Sequence, residues 1–263
     1  MAKPTPIRGL SRRAPLQKVA LRILEARMRD VQKHEASLPS EDPLHDARVA
    51  VRRLRAALRL LRLRELDAPV KRFQDSLGAV RDLQLQIGWL RGRDETLAKR
   101  RASLLPRAER ALERGLIVWR SQTTPRLREV GAGEFSGLFA DGRAQKLLRK
   151  RLARFEERLE IALLRPAPQA MHAVRRSVKQ LRYLFELVQP ALPSVARSLL
   201  VELTPLQESL GELHDLDVRI QLLRGKALLR EQRVGRARLA ALVTAELARW
   251  KKQKLAPRAR KLL

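Results

Sequence analysis

The chain has 263 residues, with 57 lysines and arginines against 28 aspartates and glutamates and a formal net charge of +29 at pH 7. Repulsion on that scale requires the cations to face water or an anionic partner, and the expected partner is a polyanion. The absence of cysteine excludes disulfides, thiolate catalysis and cysteine-held metal. No apolar run reaches the roughly 18 residues of a membrane span, and the start MAKPTPIRGLSRRAPLQ lacks a signal-peptide apolar segment, so a soluble, cytoplasmic protein is expected.

Residues 1–14, with Pro4, Pro6, Arg8, Arg12 and Arg13, show no apolar periodicity and read as a basic flexible tail. From Pro15 onward the apolar residues recur at the helical period, with no alternation of period two, which makes the fold all-α. Helices are expected over 15–37, 44–66, 69–92 and 95–129, then over 143–164, 168–190, 193–225 and 227–255. Proline and glycine set the breaks, notably Pro39, Pro43, Pro69, Gly92, Pro166, Pro168, Pro190, Pro193 and Gly225. Pro106 and Pro205 mark starts or kinks. The segment GAGEFSGLFADG, residues 131–142, reads as a linker: no Gly-Lys-Ser/Thr follows to make it a phosphate-cradling loop. Repeat one is then 15–130 and repeat two 143–255, with a basic tail over 256–263.

The division into halves rests on a stretch that occurs twice. Residues 44–61 read LHDARVAVRRLRAALRLL and residues 171–188 read MHAVRRSVKQLRYLFELV. At an offset of 127, His45 falls on His172, Arg48 on Arg175, Arg52 on Lys179 and Arg55 on Arg182. With about 100° of rotation per residue, His45, Arg48, Arg52, Arg55 and Arg59 lie within roughly 80° of arc. Ala47, Val51, Leu54, Leu58 and Leu61 cover the opposite side. In the second copy His172, Arg175, Lys179 and Arg182 share a face opposed to Val174, Val178, Leu181, Phe185 and Val188. One face of each helix is cationic and the other seeks a core.

A second pair, FQDSLGAVRDLQLQI at 73–87 and LQESLGELHDLDVRI at 206–220, matches at an offset of 133. The second copy has therefore gained six residues between its motifs, most easily placed near Pro190 to Arg197. Duplicated bundles would be related by an approximate twofold axis. Gly78 and Gly211 recur inside apparent helices, where glycine costs about 1 kcal/mol against alanine, so close helix packing is expected there.

These motifs, HxxRVxxRRLR with HxxRRxxKQLRY and LGxxRDLQ with LGxxHDLD, resemble those of the CHAD family, the conserved histidine α-helical domain. The resemblance covers roughly residues 15–255. It implies two pseudosymmetric four-helix bundles, a basic central groove or pore, and binding of inorganic polyphosphate by a stand-alone granule protein or by the accessory half of a triphosphatase. Carried over residue by residue, it places ligand contacts at His45, Arg48, Arg52, Arg53 and Arg55 and at His172, Arg175, Lys179 and Arg182. The face analysis adds Arg59. Arg53 lies about 100° from Arg52 and lines a neighbouring wall or solvent instead. Gln180 stands in place of Arg53 and Glu186 in place of Arg59, and Glu186 is placed to pair with Arg182 one turn back, which makes the second half the weaker contributor.

A solvated helix face would explain one such stripe. Two stripes, the first without interleaved carboxylates, favour anion binding through charge-assisted hydrogen bonds and counterion release. His45 and His172 lie on the cationic faces and are expected to touch phosphate, whereas His34 and His214 take structural roles. Asp82 and Asp215 are expected to anchor arginines or helix ends. His45-Asp46 and His214-Asp215 hint at a metal-dependent phosphohydrolase, but arginines crowd His45 where a metal needs neutral or anionic ligands. With no recognisable nucleophile–base arrangement and no Glu-x-Glu pair, no enzymatic activity, cofactor or metal is expected. Nonspecific nucleic-acid binding is the alternative, opposed mildly by 3% aromatic content. Tyr183 borders the second face and could stack on a base, while Trp89, Trp119 and Trp250 are expected in the core or at interfaces. A scaffold recruiting proteins to polyphosphate granules is compatible with polyphosphate binding.

Overall fold

A computed structural model of the chain describes residues 4–11, 13–139 and 143–262. Arg12 of the expected tail and residues 140–142 of the expected linker lie outside the described residues. Eleven α-helices and no strands are present among them. Contacts divide the chain into two units, Met1–Phe139 and Ala140–Leu263.

In the first unit α1 (Leu16–Glu35), α2 (Glu41–Leu61) and α3 (Arg64–Leu90) are followed by α4 (Glu95–Ala102), α5 (Leu105–Val118) and α6 (Thr124–Arg128). Helix α1 packs on α2, α2 on α3 and α3 on α5. Val19, Ile23, Val51, Leu54, Leu58, Val70, Leu77 and Val80 form the core between them, each at most 1% exposed. Burying a leucine or isoleucine stabilises by about 1.5–3 kcal/mol, so this apolar stripe fixes which face of α2 points inward. The break after α2 falls earlier than expected, at Arg62, which takes the left-handed conformation (φ 64°) and donates its N–H to the carbonyls of Arg59 and Leu58. Pro69 therefore does not begin a helix but lies inside α3.

The helix expected over 95–129 is broken instead. Asp94 caps α4 by accepting from Leu97 N at 2.9 Å, and Pro106 sits in the first turn of α5. Between α5 and α6 the chain makes a π-helical turn, Trp119–Thr123, in which Thr124 N–H reaches back to Trp119 O. Pro125 accounts for the irregularity, since it cannot donate to Ser121 and its ring crowds that carbonyl.

The segment expected to be a linker belongs largely to this unit. Phe135 and Phe139 are each 2% exposed, Leu16 N–H bonds to Gly137 O at 2.8 Å and Phe139 N–H to Ala14 O at 2.9 Å. The first of these satisfies an otherwise unpaired donor at the start of α1. The expected flexible tail is likewise docked over its described part: Thr5 N–H and Oγ donate to Asp30 at 3.0 and 2.5 Å, Arg27 donates to Thr5 O, and Leu10 is buried.

In the second unit α7 (Arg143–Leu164), α8 (Pro168–Val188), α9 (Pro193–Leu222) and α10 (Lys226–Lys252) pack each on the next, with α10 returning to α7. These four follow the expected boundaries within three residues. Residues expected as a C-terminal tail form α11 (Leu255–Leu262), which packs chiefly on α7 and carries the buried Ala256 and Ala259. Phe155 meets Trp250 edge-on, with centroids 5.3 Å apart.

The glycine expectation needs correction. A Cβ on Gly78 would meet only an Arg48 nitrogen at 4.0 Å, and one on Gly211 would meet nothing within 4 Å, so neither marks a close helix approach. The close approach is at Gly115 on α5, where a Cβ would lie 2.9 Å from Ser76 Oγ on α3.

Candidate anion-binding faces

On α2 the apolar residues Val51, Leu54 and Leu58 are buried, which turns the opposite side toward α3 and solvent. The row expected to be an open cationic stripe is graded in exposure. His45 is exposed, Arg48, Arg52 and Arg59 are partly buried, and Arg55 is 8% exposed. Helix α3 supplies the carboxylates that α2 lacks. Arg48 Nη1 donates to Asp82 Oδ1 at 2.9 Å. Arg55 grips Asp67 with Nε at 2.6 Å and Nη2 at 3.1 Å and donates Nη1 to Gln74 Oε1 at 3.1 Å. Arg59 adds two bonds of 3.2 Å to the same Asp67 oxygen. Three guanidiniums thus meet two carboxylates, Arg52 adds a further cation, and the face keeps a positive excess.

The grading changes what each residue can do. Arg52 has no ion pair among the described residues and Arg48 shares one accessible carboxylate, 60% exposed at Asp82, so both can reach an incoming anion. Arg55 is committed to joining α2 to α3. Arg53 is 7% exposed and faces neither solvent nor the stripe. Burial opposes the ionisation of Asp67, but the hydrogen bond from Arg55 and the charges of Arg59 and Arg55 outweigh it and hold the carboxyl below its ordinary value. At Arg48, burial weighs against the charge and Asp82 restores part of it. Partial desolvation lowers His45; Asp46 pulls it back, and Arg81 on α3 pushes it further down.

On α8 the same phase recurs, with Val174, Val178, Leu181 and Phe185 fully buried. His172, Arg175 and Lys179 are partly buried and Arg176 is exposed beside them. Arg182 is 6% exposed and donates Nε to Glu186 Oε1 at 2.9 Å, the pairing read from the spacing. From α9, His214 brings its ring to within 4.8 Å of the His172 centroid at a tilt of 37°. Asp217 lies one turn further and is held by Arg236 Nε of α10 at 2.6 Å. From α7, Arg158 donates to Ser177 Oγ at 2.7 Å and Arg151 to Gln180 Oε1 at 2.6 Å. Burial, then Arg176, Arg175 and Lys179, lower the pKa of His172, with Asp217 opposing. Burial, Arg175, His172 and Lys179 lower His214 to about 4.

His214 therefore belongs to the second face rather than to the structural background expected for it. The signal was present in the repeat, since at the offset of 133 His214 aligns with Arg81, the residue that faces His45. Nothing in the spacing pointed to Asp67, Gln74 or Arg236, which act across helices. His34 joins neither face. Tyr183 is 6% exposed and is not available to stack on a base. Trp119 and Trp250 are buried as expected, and Trp89 is partly buried with Arg93 over its ring at 5.5 Å. Among the described residues no three His, Asp or Glu side chains come together as metal ligands, and no helix is long and apolar enough to cross a membrane.

The family model of the CHAD domain matches residues 22–224, a span that includes both cationic faces and both second motifs. The chain belongs to the CHAD family. Among solved structures, this CHAD chain is similar to the crystal structure of the CHAD domain from the plant Ricinus communis, at 22% sequence identity and a TM-score of 0.67. The likeness covers 97% of this chain and 93% of that one, and at this identity it speaks for the shared all-α fold. A comparison with curated proteins finds no match.

Proposed function

We propose that the protein binds inorganic polyphosphate without turning it over, through the cationic faces of α2 and α8. The observation that carries this reading is the recurrence of His45, Arg48 and Arg52 as His172, Arg175 and Lys179, on helices whose opposite sides are buried in the same phase. Helix packing alone would be served by the buried side. A row of cations in excess of its carboxylates, kept twice, suits a ligand that repeats its negative charge at short intervals. Each phosphate would exchange water for charge-assisted hydrogen bonds, and condensed counterions would be released. Arg48, Arg52, Arg175 and Lys179 would make the principal contacts with His45 and His172, while Arg53, Arg55, Arg59 and Arg182 would support the faces from within. Membership of the CHAD family favours the same ligand. A cytoplasmic location, association with polyphosphate granules and a role as accessory scaffold to a phosphate-metabolising enzyme follow from this reading.

Nonspecific nucleic-acid binding remains the second reading because charge alone would serve it. The burial of Tyr183, Trp119 and Trp250 removes these rings as stacking platforms and disfavours single strands. The deciding experiment is a competition titration at physiological salt: labelled long-chain polyphosphate displaced by unlabelled polyphosphate, duplex DNA, RNA or heparin at matched charge. A preference for polyphosphate of at least about tenfold, roughly 1.4 kcal/mol, that is lost in an R48A/R52A/R175A/K179A variant supports the reading. Equal competition by all polyanions, unchanged in that variant, rejects it.

A further inference from the structure

We propose that His172 and His214 together form a phosphate subsite that takes up a proton from solvent as it binds its anion, so that polyphosphate binding by the second unit is coupled to pH. This inference rests on the polyphosphate reading and concerns the regulation of the same face. Its basis is geometric. The two imidazoles, one from α8 and one from α9, lie 4.8 Å apart at a tilt of 37°. His172 Nδ1 is buried and makes no hydrogen bond within the protein. The first unit carries the same backbone positions with a different residue: Arg81 stands where the second has His214. A guanidinium is charged at every physiological pH, whereas an imidazole is charged only when it has bound a proton. The duplication has thus kept one half with a permanent cation and given the other a conditional one.

The groups around the pair determine the direction of the coupling. On α8 itself Arg175, Arg176 and Lys179 oppose a further positive charge on His172. From α9, Asp217 favours it, although Arg236 of α10 already engages that carboxylate at 2.6 Å. Asp215, next to His214, points about 100° round the helix from it. From α7, Arg158 turns its guanidinium to Ser177 and the Ala173 carbonyl. Burial first, and then Arg175 and Lys179, joined at His172 by Arg176, against one engaged acid, lower both rings, and His214 in particular is held at about 4. An anion seated against Arg175 and Lys179 reverses the local sign and raises both pKa values. The proton arrives from solvent on an imidazole nitrogen, which becomes an N–H donor to a phosphate oxygen. Two charged rings at this distance repel, so the pair takes up about one proton rather than two. Binding then tightens as pH falls, by at most about tenfold per pH unit for one proton, between the raised value in the complex and the low value of the free protein.

The test is calorimetric titration of the full chain with long-chain polyphosphate, whose interior phosphates stay ionised throughout. It is run at about pH 6.5, the ordinary midpoint of histidine, in two buffers of different ionisation enthalpy. The wild type is expected to take up a proton on binding. H214R, which installs the permanent cation of the first unit, is expected to lose most of that uptake whatever its affinity. H172N, a second variant in case H214R folds poorly, is expected to lose it as well. Any proton taken up at His45 survives in both variants and is measured by them. Binding heat that is independent of buffer in the wild type, or uptake that is undiminished in both variants, overturns the inference and leaves the polyphosphate reading standing. Absence of any salt-sensitive complex with polyphosphate overturns that reading and, with it, the inference.

Discussion

Arg55 on α2 and Asp67 on α3 are joined by two hydrogen bonds, 2.6 and 3.1 Å long, in a pair whose side chains are only 10% and 21% exposed. The same carboxylate also receives Arg59. Replacing it in D67N leaves Arg55 buried without its counter-charge. The variant is expected to lose about 2–3 kcal/mol of stability, read as a lowered denaturation midpoint with an unchanged denaturant dependence.

The pH dependence of that stabilisation has a definite sign. Burial opposes but does not overcome the arginines that lower the Asp67 pKa from its ordinary 3.8. The stabilisation is therefore fully present above that ordinary value and is lost as pH falls through the lower folded value. The wild type is expected to lose this increment in acid, and the stability difference between it and D67N is expected to shrink there. Acid titration of both, followed by circular dichroism, checks it.

Exposure along α2 separates two kinds of arginine. R52A, which removes a cation that has no ion pair among the described residues, is expected to weaken polyphosphate binding and lower the slope of log affinity against log salt by up to about one, with little change in melting temperature. R55A is expected to do the reverse, costing stability first. Salt-dependent titrations and thermal melts of both variants decide it.

Two helical glycines should respond oppositely to a side chain. At Gly115 even a Cβ would come within 2.9 Å of Ser76 Oγ, which is itself bonded to the Phe73 carbonyl at 2.9 Å. G115V is expected to destabilise by about 1–3 kcal/mol. At Gly211, with open space around it, G211A is expected to stabilise by up to about 1 kcal/mol through helix propensity. Chemical denaturation of the two variants tests both signs.

Much of the fold was legible because helical periodicity records which side of each helix is buried. Val51, Leu54 and Leu58 repeat at a spacing that only an inward face explains, and the boundaries of α7 to α10 followed from Pro168, Pro193 and Gly225. The misplaced breaks have local causes: Pro69 lies within α3, and Pro125 imposes a π turn that no periodicity encodes. The docked segments around Thr5 and Phe135 escaped notice because their partners, Asp30 and Ala14, are distant or carry no pattern. At the candidate site the cations were legible and their partners were not. Arg48, Arg52, Arg55 and Arg59 share a face by rotation alone, whereas Asp67 and Gln74 join it only through the packing of α3. His214 could have been found, since its alignment with Arg81 was already given by the second repeat.

Several cations of these faces are tethered to neutral or singly charged acceptors: Arg48 to Asp82, Arg158 to Ser177 and Arg151 to Gln180. A free arginine side chain gives up about 2 kcal/mol of rotamer freedom when it is immobilised. Here much of that loss has already occurred during folding. The acceptors thus leave the guanidiniums ordered before any ligand arrives, at the cost of some attraction for it. In kinetic terms such a surface favours rapid capture of successive charged groups over slow rearrangement around each one, which suits a ligand that is long, uniform and without a fixed shape.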